Sequence, residues 1–239
     1  MAIFISGKNP VREAVRAKEA SRIYASSRLA HDPILQQAEE AGIPVEIVGE
    51  ERLVSLCKAP NHQGIVAAIR GLETCTLSAL LEGCQKKKYP LILMLDGIED
   101  PHNLGAMLRS CDAFGVDGII MKKRGEVPLT PTVAKVSTGA IHYVKVAAVS
   151  NLSSAMETLK KNGFWIVAAD GGASQSYADV DYRCPICLIV GSEGFGISRL
   201  VLKNSDFIVK IPMVGHVNSL NVSVAAGILL SQIALARQQ

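Results

Sequence analysis

Apolar positions are densest near the end of the chain. Val222, Ala225, Ala226, Leu229 and Ile233 recur at helical spacing, and Val224, Ile228, Leu230 and Leu235 fill most of the remaining face. This spacing predicts a helix over about 221–237, buried nearly all round in a core or against a second subunit. It follows a hydrophobic strand expected at 206–211 and ended by Pro212, which has no N–H for a ladder. Between strand and helix, Gly215 allows tight backbone, and Asn218, Ser219, Asn221 and Ser223 gather four small polar side chains at a helix start. That turn reads equally as an ordinary Ser or Asn cap and as a seat for a polar or anionic ligand.

Residues 1–72 alternate short apolar runs with amphipathic ones. Asn9 is expected to cap, and Pro10 to open, a helix through Ala17. A second helix starts at Asp32-Pro33 and ends at Ala41 with Gly42 in the left-handed position, and a short one spans 51–57. Strands are expected at 23–25, 45–48 and 65–69, so a small sheet covered by helices is predicted. Residues 73–89 read as a linker ending in Lys86-Lys87-Lys88, either a solvated face or a contact to a phosphate backbone. From 90 to 239 the strands become near-continuous apolar runs, at 91–95, 118–121, 164–168, 186–190 and 207–211. Helices fall between them at about 103–114, 131–137 and 152–161. Such runs belong to strands covered on both faces, and the larger domain is read as an open α/β sheet with ligands at the carboxyl ends of its strands.

At 239 residues, 49% hydrophobic and 20% charged, the chain has room for a sizeable core in one large or two modest domains. No apolar run reaches the roughly 18 residues of a membrane span. The opening Met1-Ala2-Ile3-Phe4-Ile5-Ser6 lacks a signal peptide's long apolar region, so a cytoplasmic protein with no membrane partner is expected. Cys57, Cys75, Cys84, Cys111, Cys184 and Cys187 show no framework spacing and are expected as reduced thiols. Cys184 and Cys187 form a single CxxC pair, read as core residues ahead of redox or metal use. A net charge of +3 permits a nucleic-acid partner without demanding one.

Three strand ends in the larger domain carry candidate chemistry. The first holds Asp100-Pro101-His102-Asn103-Leu104-Gly105, with Asn103 at the expected helix start and Arg109 in its second turn. Both can face a site above the sheet, or serve as a cap and a surface charge. The second is Gly191-Ser192-Glu193-Gly194-Phe195-Gly196-Ile197-Ser198, whose glycines let a ligand approach main-chain N–H groups. Glu193 also reads as a cap of the following turn. The spacing matches neither a dinucleotide fingerprint nor a phosphate loop, which disfavours a nicotinamide or ATP enzyme. The third is the turn from Ile211 to Ala225.

Together the three stretches resemble the three motifs of the SpoU/TrmH family, ribose 2′-O-methyltransferases of the SPOUT class. Asp100-Pro101-His102-Asn103-Leu104-Gly105 with Arg109 matches the first, Gly191-Ser192-Glu193-Gly194 with Gly196 the second, and Ile211-Pro212-Met213, Gly215 and Ser219-Leu220-Asn221-Val222-Ser223-Val224-Ala225 the third. Residues 1–70, with Ser6-Gly7-Lys8-Asn9-Pro10 and His62-Gln63-Gly64-Ile65, are similar to the ribosomal-protein-like substrate-binding domain of members that modify 23S ribosomal RNA. Asn9 stands where relatives often have His, outside the three motifs. The resemblance implies a deep trefoil knot in the C-terminal α/β domain, against the general rarity of knots. It also implies S-adenosylmethionine in the knotted loops, held through the main chain of Gly191, Ile211 and Leu220 with Ser219 and Met213 beside them. A homodimer follows too, in which Arg109 completes the site across the interface.

The resemblance assigns roles. Arg109 would hold the phosphate beside the target ribose and stabilise the developing oxyanion, while Asn103, Glu193, Ser219 and Asn221 orient the hydroxyl, the arginine and the cofactor. Arg109 is unsuited to act alone as the base, because a guanidinium stays protonated. No metal is called for, and His102 and His216 read as loop or surface residues. Lys122-Lys123-Arg124 either tracks an RNA backbone or is a solvated loop, and the few aromatics of the first domain point to reading RNA shape. The expected activity is S-adenosylmethionine-dependent 2′-O-methylation of 23S rRNA, on a guanosine of the peptidyl-transferase region by similarity. The alternatives are a tRNA 2′-O-methyltransferase, which usually lacks the first domain, and a non-catalytic RNA-binding dimer, which would be expected to have lost Asn103, Arg109 or Glu193.

Overall fold

The computed structural model describes residues 3–58, 60–69 and 73–238; Met1-Ala2 and the expected domain boundary at residue 72 lie outside the described residues. In chain order the first elements are β1 Ile3–Ser6, α1 Lys8–Arg16, β2 Ala20–Ala25, α2 Pro33–Glu40, β3 Val45–Ile47, α3 Glu50–Cys57 and β4 Ile65–Ile69. They are followed by α4 Leu77–Cys84, β5 Leu91–Asp96, α5 Pro101–Ala113, β6 Gly118–Lys122, α6 Pro131–Val136, β7 Lys145–Val149 and α7 Leu152–Lys161. The last are β8 Trp165–Ala169, β9 Gln175–Ser176, β10 Ile186–Gly191, α8 Arg199–Lys203, β11 Phe207–Lys210 and α9 Val222–Ala236. Two compact units result: Met1–Glu73 with Leu129–Tyr143, and Thr74–Pro128 with Val144–Gln239.

The first unit is a four-stranded sheet in the order β1-β4-β2-β3, with β4 antiparallel to both neighbours and β2 parallel to β3. Ile5, Val11, Ile23, Leu53 and Ile65 are fully buried between sheet and helices. Asp32 caps α2 by accepting from Ile34 N at 3.0 Å, and Gly42 takes the left-handed position after it, as expected. Asn9 does not cap α1: the helix begins at Lys8 behind Gly7, whose φ of 101° glycine enters freely, and Asn9 Oδ1 accepts from Arg12 instead. Residues 129–143, placed by the sequence reading in the larger domain, pack here, because α6 lies on β1 and the helical turn after it brings His142 to Glu19 and Tyr143 to Glu13.

The second unit is a seven-stranded parallel sheet, β7-β6-β5-β10-β8-β11-β9. Its central strands β5 and β10 are buried along almost their whole length, as their apolar runs predict. The expected linker contains α4, which Thr76 caps and which buries Leu80 and Cys84. Lys87 pairs with Asp117 and Lys88 lies over the Tyr89 ring, so the lysine run is partly engaged at home. The sequence reading missed β7: Lys145-Val146-Ala147-Ala148-Val149 is an edge strand of the sheet, with a single bridge from Cys75 outside it, and carries no continuous run of large apolar residues. Among the described residues no helix is long and apolar enough to cross a membrane.

Helix α9 closes the second unit. Asn221 caps it, Val222, Ala226, Leu229, Leu230 and Ile233 are buried, and α5 packs along it. All-round burial is not met within one chain, because α5 and β10 cover a single face and leave Val224 50% and Leu235 54% exposed. At its far end the Arg237 guanidinium donates to the carbonyls of Tyr89, Pro90, Tyr182 and Cys184, tying the helix to the amino ends of β5 and β10.

Candidate active site

At the carboxyl ends of β8, β10 and β11 lies a cavity of about 670 Å³, a volume suited to a single nucleoside-sized ligand. The turn after β10 forms one wall. Ser192 and Gly196 exchange two main-chain hydrogen bonds at 3.1 and 3.0 Å, and Gly194 and Gly196 take φ of 95° and 65°. A Cβ on Gly191 would sit 2.2 Å from the carbonyl carbon of Gly196, so the turn folds back on a position only glycine fits.

Asn103 enters from α5. Asp100 caps that helix by accepting from His102 N at 2.9 Å, with Pro101 in the first turn. Asn103 is therefore the third helical residue and not the cap the sequence suggested, and its side chain is free to turn inward and be buried. Its Nδ2 donates to Glu193 Oε1 at 3.2 Å and its Oδ1 accepts from Asn221 Nδ2 at 2.9 Å. Asn221 donates from the same nitrogen to Glu193 Oε1 at 2.6 Å, and Val222 N adds a fourth, longer contact at 3.4 Å. Glu193 thus serves the start of α9 and not its own turn, and the positive end of the α9 dipole favours its charge. Asn221 Oδ1 meanwhile accepts from Ser223 N and Oγ and from Val224 N. One side chain from each of the three motifs is locked to the other two, while Glu193 Oε2 makes no hydrogen bond among the described residues.

The opposite wall is bare main chain. Ile211, Met213, Asn218, Ser219 and Leu220 line the cavity with Gly191, and among the described residues no hydrogen bond engages the main chain of 213–220. Free amide and carbonyl groups of this kind suit an adenosine-containing cofactor recognised through the backbone. Gly191, Ile211, Met213, Ser219 and Leu220 all line this one cavity, and the Ser219 hydroxyl has no partner among the described residues.

Arg109 is not brought into the cavity. It is exposed on α5 without a hydrogen bond or ion pair among the described residues. His102 and His216 are exposed too, and no group of His, Cys, Asp or Glu among the described residues could hold a metal ion. Of Lys122-Lys123-Arg124, Lys122 is engaged by the buried Asp96 at 2.9 Å. Sequence reasoning passed over Asp96 and Glu126; a buried acid at a strand end was the available signal for the first, and nothing local marked the second.

Two family models match the chain: "SpoU rRNA Methylase family" over residues 90–231 and "RNA 2′-O ribose methyltransferase substrate binding" over residues 4–75. A Staphylococcus haemolyticus protein named as a TrmH family tRNA/rRNA methyltransferase is 43% identical over 243 residues, covering 99% of this chain and 97% of its own. A solved structure of an RNA 2′-O ribose methyltransferase is 31% identical at a TM-score of 0.80, covering 99% of this chain and 89% of that one. The AdoMet complex of AviRb from Streptomyces viridochromogenes superposes at a TM-score of 0.81 over 100% of this chain and 91% of its own, and at 22% identity shows the shared fold.

Proposed function

The chain belongs to the SpoU rRNA methylase family of RNA methyltransferases, and on that premise we propose that it transfers a methyl group from S-adenosylmethionine to a ribose 2′-hydroxyl of 23S rRNA. The observation that carries this reading is the Asn103–Glu193–Asn221 network at the mouth of a cavity whose far wall is unpaired main chain.

The cofactor supplies a methyl on a sulfonium, and the chain supplies geometry. Main-chain groups near Ile211 and Leu220 hold the adenosine, with Met213 and Ser219 at its side. Asn103 and Glu193, fixed by a mutual hydrogen bond, would present an oriented amide and the free Oε2 to the incoming hydroxyl, orienting its oxygen for attack while the hydroxyl proton is released as the new bond forms. Arg109 stabilises the phosphate and the developing oxyanion. Its exposed place on α5, outside the cavity of its own chain, together with the exposed Val224 and Leu235 on α9, supports delivery from a second copy of the chain into this site. Within that homodimer the C-terminal segment takes the family's knotted path, and the enzyme works in the cytoplasm.

The substrate-binding match over residues 4–75 supports ribosomal RNA ahead of transfer RNA, and resemblance to 23S-modifying members supports a guanosine in the peptidyl-transferase region. Labelled methyl transfer to unmodified 23S rRNA, total tRNA and no RNA, with Arg109→Ala alongside, tests the reading. Label on the ribose of 23S rRNA that is lost in the variant is the expected result; label on tRNA alone overturns the substrate assignment.

A further inference from the structure

Asp96 ends β5 directly opposite Gly191, the residue that opens the glycine-rich turn. It is 5% exposed, and both its oxygens are used: Oδ1 accepts from Lys122 Nζ at 2.9 Å and Oδ2 from Ser198 N at 2.9 Å. Ser198 closes the turn that carries Glu193. On the other side of Asp96, Gly97 begins the segment leading to Asn103. Gly97 has a φ of 86°, and a Cβ there would meet Ser192 Cβ at 3.4 Å. Gly97 N donates to Glu126 Oε1 at 3.2 Å, and Val127 N donates to Ile98 O at 2.8 Å, so the loop after β6 is stitched along the approach to Asn103. Glu126 Oε2 is buried with no partner among the described residues. Neither Asp96 nor Glu126 lines the cavity.

We propose that Asp96, with Lys122 and Glu126, is a positioning device for methyl transfer: it holds the Glu193 turn and the Asn103 approach in one register from beneath the site. The inference rests on the reading of Asn103 and Glu193 as site groups. A buried carboxylate accepting from the end of β6 and from the turn after β10 fixes their spacing more tightly than apolar packing, because displacement of either leaves a charge unpaired. Burial works to raise the Asp96 carboxyl, but Lys122 and the Ser198 donor outweigh it, and the acid stays ionised well below neutral pH. Glu126 differs: burial pushes it up to about 7. The charged groups facing it are Asp96 from β5 and Lys122 from β6. Ionisation of Glu126 places a second carboxylate beside Asp96 and divides the attraction of Lys122, loosening the joint.

The test uses the full chain, with single-turnover methyl transfer at saturating S-adenosylmethionine and RNA, cofactor affinity by calorimetry and folded fraction by circular dichroism. Asp96→Ala is expected to slow transfer at least about 30-fold while cofactor affinity stays within about fivefold. The charge-neutral pair Asp96→Asn with Lys122→Met, which keeps an acceptor for Ser198 N, is expected to recover most of that loss. The ratio of Glu126→Gln to parent rates should rise as pH passes through 7. Parent-like transfer in Asp96→Ala, or a loss matched by its unfolded fraction, overturns the proposal; a flat ratio removes Glu126 from the device. Asn103→Ala and Glu193→Ala separate the two levels: inactive controls beside active Asp96 variants sink the positioning role alone, and active controls sink the site reading with it.

Discussion

The turn after β10 and the loop before α9 wall the same cavity by opposite means. Residues 191–198 form a closed turn with paired main chain, and its Glu193 side chain accepts from Asn103 and Asn221. Residues 213–220 leave their main chain unpaired among the described residues, and their side chains include the fully exposed Val214 and the exposed Val217. The difference divides the work of the site. A side-chain network resists displacement and suits the alignment of a reacting hydroxyl, whereas an unpaired backbone offers donors and acceptors that recognise a cofactor with little regard to side-chain identity.

The largest effect expected from breaking this division is on the paired wall. Asn103→Ala should lower single-turnover transfer by about 10²- to 10³-fold with cofactor affinity within about threefold, since it removes one preorganised donor. A collapse of affinity instead would merge the two walls into one function. Next in size, Gly191→Ala puts a Cβ into the Gly196 and Ile197 backbone and should weaken cofactor binding about 30-fold while the sheet remains folded by circular dichroism.

Glu126→Gln probes stability beneath the paired wall. The Glu126 acid sits at about 7 in the fold, against about 4.3 in an unfolded chain. The raised value means that the stability given by the protonated acid is complete below about pH 4 and is lost as pH rises through 7. The glutamine variant cannot ionise, so its unfolding free energy from urea titration should match the parent near pH 4 and exceed it above pH 7, by at most about 3.7 kcal/mol. The smallest effect belongs to the unpaired wall: Val214→Ala should change cofactor affinity by less than about twofold in calorimetry, because that side chain is wholly in solvent.

Legibility in the sequence follows the range over which each feature is determined. Helix α7 is legible at its observed bounds because Asn151 and an apolar stripe fix it within ten residues, whereas the cap of α9 reads only as Ser219 or a neighbouring Asn, and Asn221 takes it. The mutual bonding of Asn103, Glu193 and Asn221 was not written locally, since their separations along the chain are 90 and 118 positions; only the resemblance of the three motifs grouped them. Asn9 misled because its type favours capping, while Gly7 offered a backbone path that needs no cap. Glu126 looked like any loop acid, and its burial depends on Ile98 and Gly97 from another part of the chain. The uncovered side of α9 was foreseen as buried because apolar count alone does not say which molecule does the covering.

The strand order has a consequence for how the molecule comes to life after synthesis or denaturation. β5 and β10 are neighbours in the sheet but are separated in the chain by β6, β7, β8 and β9, and the Asn103 contacts span the same gap. Pairings between distant segments close slowly, because loop entropy is lost before the contact forms. Helical signal should therefore return early in refolding, and competence to bind the cofactor should arrive with the last kinetic phase, when Asp96 meets Ser198 and the two ends of the domain are joined.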